Sequence, residues 1–243
     1  MNPAALDLLF AHRSIRRFAE GEVPDEHVRL AVRAGQQAST SSNVQAYSML
    51  RLRDPAVLER LVELTGGQSK VARCGAFFVV CGDVRRHRVL ARKVGLPYQA
   101  RLEGFLVAVI DASLFAQNLC VAFESMGYGI CYIGGLRNDL PAVQRLLALP
   151  EGVYPLFGLC VGIPAEDPAP RPRLAPEAVL HEERYPDDEA ILASIDQYDG
   201  VMTAYYAERG SSGTWSTKME AQFKEPYRTS IADFYRSQGA DLS

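Results

Sequence analysis

The stretch Gly75 to Gly82, GAFFVVCG, is an uninterrupted apolar run closed by glycine at both ends. A run of that length with no polar alternation reads as a central strand covered on both faces. YPLFGLCVG at 154–162 has the same texture, and YGICYIGG at 128–135 is a shorter run of the same kind. AYSMLRL at 46–52 supplies a fourth strand. Between these runs the apolar period changes to that of helices. Pro24 with Asp25 and Glu26 opens a helix whose inward stripe is Val28, Ala31, Val32 and Gly35. Asp54-Pro55 caps another, carrying Leu58, Leu61 and Val62 and stopped by Gly66-Gly67. Asn2-Pro3 opens a short helix ending near Ala11, and a further helix carries Val143, Leu146 and Leu147. Gln99 to Gly127 is a long helix, apolar on more than one face, which places it in a core or an interface. Strands alternating with helices in this way suggest a doubly wound parallel sheet.

After Gly162 the texture shifts. IPAEDPAPRPRLAP at 163–176 holds five prolines and reads as an extended arm over about 163–184, following a core of about 1–162. Two helical stretches with weaker stripes, 185–209 and 216–238, then form a C-terminal lobe over 185–243.

With 48% apolar and 23% charged residues the chain has the balance of an ordinary folded domain. A net charge of −3 argues against nucleic acid or an anionic membrane as partner, although 22 of the 26 basic residues are Arg. No apolar run reaches the about 20 residues of a bilayer span, because Phe105 to Met126 is interrupted by Asp111, Gln117, Asn118 and Glu124. No secretory signal opens the chain, so a cytoplasmic location is expected. The five cysteines sit singly in apolar runs and read as small core residues, with no metal or dithiol spacing.

Familiar catalytic motifs are missing. Gly127-Tyr128-Gly129 lacks the third glycine of a dinucleotide fingerprint, and neither a P-loop, a zinc helix nor a nucleophile elbow is present. The four histidines lack ligand spacing, so neither a metal nor a catalytic side-chain group is expected. Chemistry residing in a bound cofactor would need only residues that hold and tune it. HRSIRRF at 12–18 gathers three Arg, a His and a Ser after a helix, which suits a phosphate as well as it suits a solvated basic turn. Gly134-Gly135 ends a buried strand, either for close approach of a planar ligand or for a tight turn. RPRL at 171–174 offers two guanidinium forks at alternate positions, or else a charged linker.

Five segments in order, HRSIRRF at 12, TGGQ at 65, YIGGLRND at 132, PLFGLCVG at 155 and RPRL at 171, closely resemble the NADPH-dependent branch of the nitroreductase and flavin reductase family. The resemblance implies a single α+β domain over 1–243, a three-layer fold with a mixed, mostly antiparallel sheet between helices and a C-terminal helical excursion. It replaces the parallel reading and implies an intertwined homodimer formed through the long helix at 101–126 and the C-terminal segments. It further implies that His12, Arg13, Ser14 and Arg16 bind the phosphate and ribityl chain of FMN with help from Thr40 and Ser42. Gln68 would face the flavin from the partner subunit, with Lys70 close by. Tyr132, Ile133, Gly134, Gly135 and Leu136 would follow the isoalloxazine edge, and Arg171 and Arg173 would complete the site. Arg209 after a Tyr-Tyr pair, and Arg228, are the NADPH candidates, each also readable as an exposed helix-end Arg. Thr40 departs from the family's usual Ser, and both arm positions are Arg where one is often Lys.

The activity implied is ping-pong transfer of electrons from NADPH through FMN to nitroaromatics, quinones or free flavin. A dedicated reductase supplying reduced FMN, or a flavin-binding module without turnover, are the alternatives.

Overall fold

The computed structural model describes residues 4–243, so the expected cap at Asn2-Pro3 lies outside the described residues. Four strands, β1 (Tyr47–Leu52), β2 (Ala76–Asp83), β3 (Gly129–Ile133) and β4 (Val153–Gly162), form one sheet in the order β1-β2-β4-β3. Every pairing between them is antiparallel, with Phe78 opposite Leu159 at the centre of the sheet. The doubly wound parallel arrangement suggested by alternation is therefore overturned. Helices α3 (Pro55–Leu64) and α4 (Lys70–Arg73) turn the chain back at the end where β1 finishes, and α7 (Leu140–Leu146) does the same between β3 and β4. Neither connection crosses the sheet as a parallel βαβ unit requires. Among the described residues the parallel contact is an isolated bridge, Ser14 to Ile130.

Strand alternation divides the core into two clusters. Phe78 and Val80 of β2 point to one face, where they meet Ala31 of α2 (Asp25–Gly35) and Ala112, Leu119 and Phe123 of α6 (Arg101–Ser125). Phe77, Val79 and Cys81 point to the other, against Leu61 of α3, Val71 of α4 and Val143 of α7. Two layers of helix thus enclose the sheet, and β2 is buried along its whole length as its sequence requires.

Helix α6 has the length and apolar composition of a membrane span. One face of it instead packs on the sheet, and it buries a carboxylate, Asp111, completely. Asp111 Oδ1 accepts from the Ser41 backbone N–H at 3.2 Å and Oδ2 from that of Ala46 at 3.0 Å. The opposite face leaves Leu102, Leu106, Ile110 and Leu114 exposed at a spacing of four.

Helices α1 (Ala4–Phe10), α5 (Arg85–Lys93), α8 (Asp188–Ala207), α9 (Trp215–Phe223) and α10 (Ile231–Ser237) complete the described α-helices. The chain divides into two compact units, one running to Pro168 and resuming at Ser230–Ser243, the other Ala169–Thr229. The boundary differs from the lobe expected at 185–243. Phe234, Tyr235 and Ala240 belong to the first unit's core, where Tyr235 donates its hydroxyl to the Pro155 carbonyl at 2.8 Å. The helix expected over 216–238 is broken between α9 and α10, where Pro226 cannot supply the N–H that continuation needs. In the second unit Tyr198 and Tyr206 close a small cluster with Met202 and Trp215.

Candidate functional site

The segment HRSIRRF is a fixed loop in the structure. The Ile15 N–H donates to the Ile130 carbonyl at 2.9 Å, and that of Ala19 to the Ile163 carbonyl at 2.9 Å, so the loop lies beside β3 and the end of β4. Gly129 makes the close approach possible, because a Cβ there would stand 2.6 Å from Ile15 Cγ1. Three carboxylates then divide the basic side chains. Glu166 Oε1 accepts from the backbone N–H groups of Arg16, at 2.5 Å, and Arg17, at 3.1 Å, while Oε2 takes the Arg17 Nε at 3.0 Å. Those bonds, the Arg16 N–H first, hold the Glu166 carboxyl below its ordinary value against the opposing effect of desolvation. Asp167 pairs with Arg13, and Glu124 of α6 meets His12 Nδ1 at 2.7 Å.

Two donors are left over. Arg13 Nε is buried without a partner, and the Arg16 fork pairs with no carboxylate among the described residues, its hydrogen bond going to the Ser14 carbonyl at 3.4 Å. A cavity of about 540 Å³ opens beside Arg13, lined by His12, Ile15, Glu124, Tyr128 and Glu166 among others. An orphaned buried guanidinium N–H at such a cavity, with the Arg16 fork unspent in the same loop, fits a phosphate-bearing group. Glu124, Glu166 and Asp167 had no signal in the sequence as partners of this loop, since between 112 and 154 residues separate each from the residue it holds.

The polar loop holding Thr40 and Ser42 is strained. Ser42, Asn43 and Gln45 adopt φ of 46°, 58° and 52°, a left-handed conformation that costs L-residues about 1–2 kcal/mol each. The Asp111 carboxylate stabilises it from beneath. Local strain held by a buried charge is characteristic of a ligand-facing loop. Asp111 is a supporting residue that the sequence reading treated only as a break in an apolar run.

TGGQ and YIGG meet within one chain. Gln68 Nε2 donates to the Thr65 carbonyl at 2.9 Å and lies so near Gly135 that a Cβ on Gly135 would be 2.4 Å from it. Lys70 begins α4 beside this contact. Of the segment expected to follow the flavin edge, the side chains of Ile133 and Leu136 are fully buried in the core and have none to offer a ligand. Strand alternation turns Ile133 inward, and the 3-10 turn Gly134–Asn138 does the same for Leu136. Tyr132 is 37% exposed, and burial raises its phenol above the ordinary range, so its hydroxyl stays neutral.

In the second unit Arg171 and Arg173 are both exposed, and Arg173 Nη1 donates to the Arg171 carbonyl at 3.1 Å. The Tyr198 hydroxyl fixes the arm between them through the Pro172 carbonyl at 2.9 Å. Arg209 lies just past α8 with its guanidinium 5.3 Å from the centroid of the Tyr205 ring, and Arg228 stacks on Tyr227 at 4.3 Å.

A three-layer α+β scaffold that presents a pinned basic loop and a strained polar loop defines a protein built to hold an anionic cofactor. Two family descriptions match the chain, "Nitroreductase family" over residues 9–163 and "Nitroreductase family, C-terminal domain" over 171–243. Among curated relatives, an FMN reductase (NADPH) of Bacillus subtilis is 41% identical over 241 residues, covering 96% of this chain and 97% of its own. An oxygen-insensitive NADPH nitroreductase of Salmonella typhimurium is 40% identical and covers 98% of both. Among solved structures, the NADPH:FMN oxidoreductase of Vibrio harveyi complexed with NAD+ superposes with a TM-score of 0.89 at 36% identity over 97% of each chain. The chain belongs to the nitroreductase family.

Proposed function

We propose that this protein is an FMN-dependent oxidoreductase that takes electrons from NADPH and passes them, by ping-pong turnover, to nitroaromatics, quinones or free flavin. The observation that carries the reading is the pinned loop with an orphaned Arg13 Nε and a free Arg16 fork, in a chain whose relatives bear the names of NADPH-dependent flavin and nitro reductases. FMN, when bound, supplies the isoalloxazine that accepts a hydride from the nicotinamide and returns two electrons to the acceptor.

The chain's own part is to bind and to polarise. Arg16 and Arg13 hold the phosphate, with His12 and Ser14 beside them, and Thr40 and Ser42 serve the ribityl chain. Gln68, Lys70, Tyr132 and the backbone N–H groups of Gly134 and Gly135 line the ring. Arg171 and Arg173 are assigned to FMN and Arg209 and Arg228 to NADPH; a fixed cation stabilises negative charge as it accumulates on reduction. No protein nucleophile enters the reaction.

The working form is proposed to be a homodimer. The stripe Leu102, Leu106, Ile110 and Leu114, together with Leu6, Leu9 and Phe10 of α1, is an apolar surface that a monomer would leave in water. Sedimentation of wild type at the dimer mass, and of Ile110→Glu at the monomer mass, is the expected result.

Anaerobic titration of the yellow protein with NADPH tests the activity. Bleaching by NADPH and recovery with a nitroaromatic or quinone is expected; a protein that takes up no FMN, or one that NADPH leaves oxidised, overturns the reading. Free flavin turned over much faster than any nitroaromatic would favour a dedicated flavin reductase.

A further inference from the structure

Three of the five cysteines, Cys74, Cys131 and Cys160, gather on the sheet face that carries α4. Cys131 and Cys160 are cross-strand partners on β3 and β4. Cys74 follows α4 and gives its backbone N–H to the Lys70 carbonyl at 3.1 Å, the same carbonyl that the Cys160 thiol approaches at 3.6 Å. The two members of this close pair have opposite surroundings. Cys160 is fully buried, whereas Cys74 is half-buried and lines a cavity of about 360 Å³ with Glu22, Arg51, Leu58 and Phe77. That cavity shares no lining residue with the one beside His12 and Arg13.

We propose that Cys74 and Cys160 form a peroxide-reactive thiol pair, with Cys74 as the attacking sulfur and Cys160 as the resolving one. The cavity admits a small uncharged oxidant, a hydroperoxide, to Cys74 alone. The surroundings favour the same division of roles. The Cys74 thiol is held below its ordinary range, its contact with Cys160 first among the causes, while burial holds that of Cys160 far above it.

In the first step the Cys74 thiolate attacks one peroxide oxygen, the O–O bond breaks, and hydroxide or alkoxide leaves and takes a proton. Cys74 is then a sulfenic acid. In the second the Cys160 sulfur displaces hydroxide from it, giving up its own proton to that hydroxide as the S–S bond forms. Two thiols and one hydroperoxide become a disulfide, one water and one water or alcohol, with two electrons passing from the sulfurs to the peroxide. In the disulfide the two sulfurs stand about 2.05 Å apart. Cys160 also directs its thiol at the Lys70 carbonyl, at 3.6 Å, so oxidation removes a brace of the short helix next to Gln68.

The test uses full-length protein and hydrogen peroxide in small molar excess, followed by alkylation of the remaining thiols and mass spectrometry of an unreduced digest. The expected result is loss of two of the five thiols, reversal by dithiothreitol, and one linked peptide pair whose fragments assign the bond to Cys74, not Cys81, and to Cys160. Dimedone should label Cys74 in Cys160→Ala, and Cys74→Ser should lose thiols at least tenfold more slowly than wild type. Survival of all five thiols, a Cys131–Cys160 bond, or a Cys74→Ser variant oxidised as fast as wild type would each overturn the proposal. The wild-type map decides the matter even where a variant fails to fold.

Discussion

The basic segments at His12 to Phe18 and at Arg171 to Leu174 have similar compositions and very different surroundings. In the first, Glu166 grips two backbone N–H groups, Asp167 and Glu124 occupy Arg13 and His12, and backbone hydrogen bonds fix the loop to β3. In the second, both guanidinium groups are exposed, and their anchors are one carbonyl contact from Arg173 and the Tyr198 hydroxyl on Pro172. The comparison teaches that Arg content alone does not make an anion site. Neighbouring carboxylates decide which forks are spent on structure and which stay free, and a fixed loop binds its ligand without a further ordering cost.

Four substitutions break or sharpen that contrast. The largest effect is expected from Asp111→Ala, which strands the buried N–H groups of the strained polar loop and should lower stability by about 3 kcal/mol in chemical denaturation. A loss under about 1 kcal/mol would show that the loop holds its left-handed residues unaided. Arg16→Ala should weaken FMN about tenfold to a hundredfold in a fluorescence titration, the worth of one charge-assisted contact, while the melting temperature stays put. Glu166→Gln keeps shape but removes charge, and should weaken FMN only severalfold. Its pH signature is more telling. Because the folded Glu166 carboxyl lies below its ordinary value of 4.5, its brace is complete above that pH and is lost as pH falls through the folded value. Acid release of FMN between pH 4.5 and lower values should therefore flatten in the variant. The smallest change is expected from Arg173→Lys, about threefold or less, since an exposed fork is easily replaced by a point charge. An Arg173→Lys loss as large as that of Arg16→Ala would erase the distinction between the two segments.

All four strands and the long helix were legible because an apolar run flanked by Gly, or a stripe at helical spacing, is a local property. The pairing direction was not. A connection with a helix in it looks the same whether it crosses the sheet or turns back at its end, and only the five ordered motifs corrected the parallel reading. Helix α5, with mostly polar residues and no buried one, left no stripe to find. Pro226 did leave a signal, and the unbroken reading of 216–238 passed over it. At the candidate site the Arg and Gly residues stood out by type, while Glu124, Glu166, Asp167 and Asp111 matter by position in space. The fold alone brings those positions together. Ile133 and Leu136 keep their side chains in the core for a related reason: a motif names consecutive residues, whereas strand alternation and a following turn expose only some of them.

The return of Phe234 and Tyr235 to the first unit also has a meaning in time. During synthesis, β1 through β4 and α6 leave the ribosome well before the residues that seal their core against Phe105 and Tyr154. The whole of 169–229 is made in between. Until Tyr235 arrives to reach the Pro155 carbonyl, the nascent chain carries an open apolar seam, and closing it requires a loop whose entropic cost grows only with the logarithm of its length. The inserted unit can therefore lengthen or shorten at little thermodynamic cost, but a chain stopped before residue 235 would leave its seam open to chaperones, proteases and other unfinished chains.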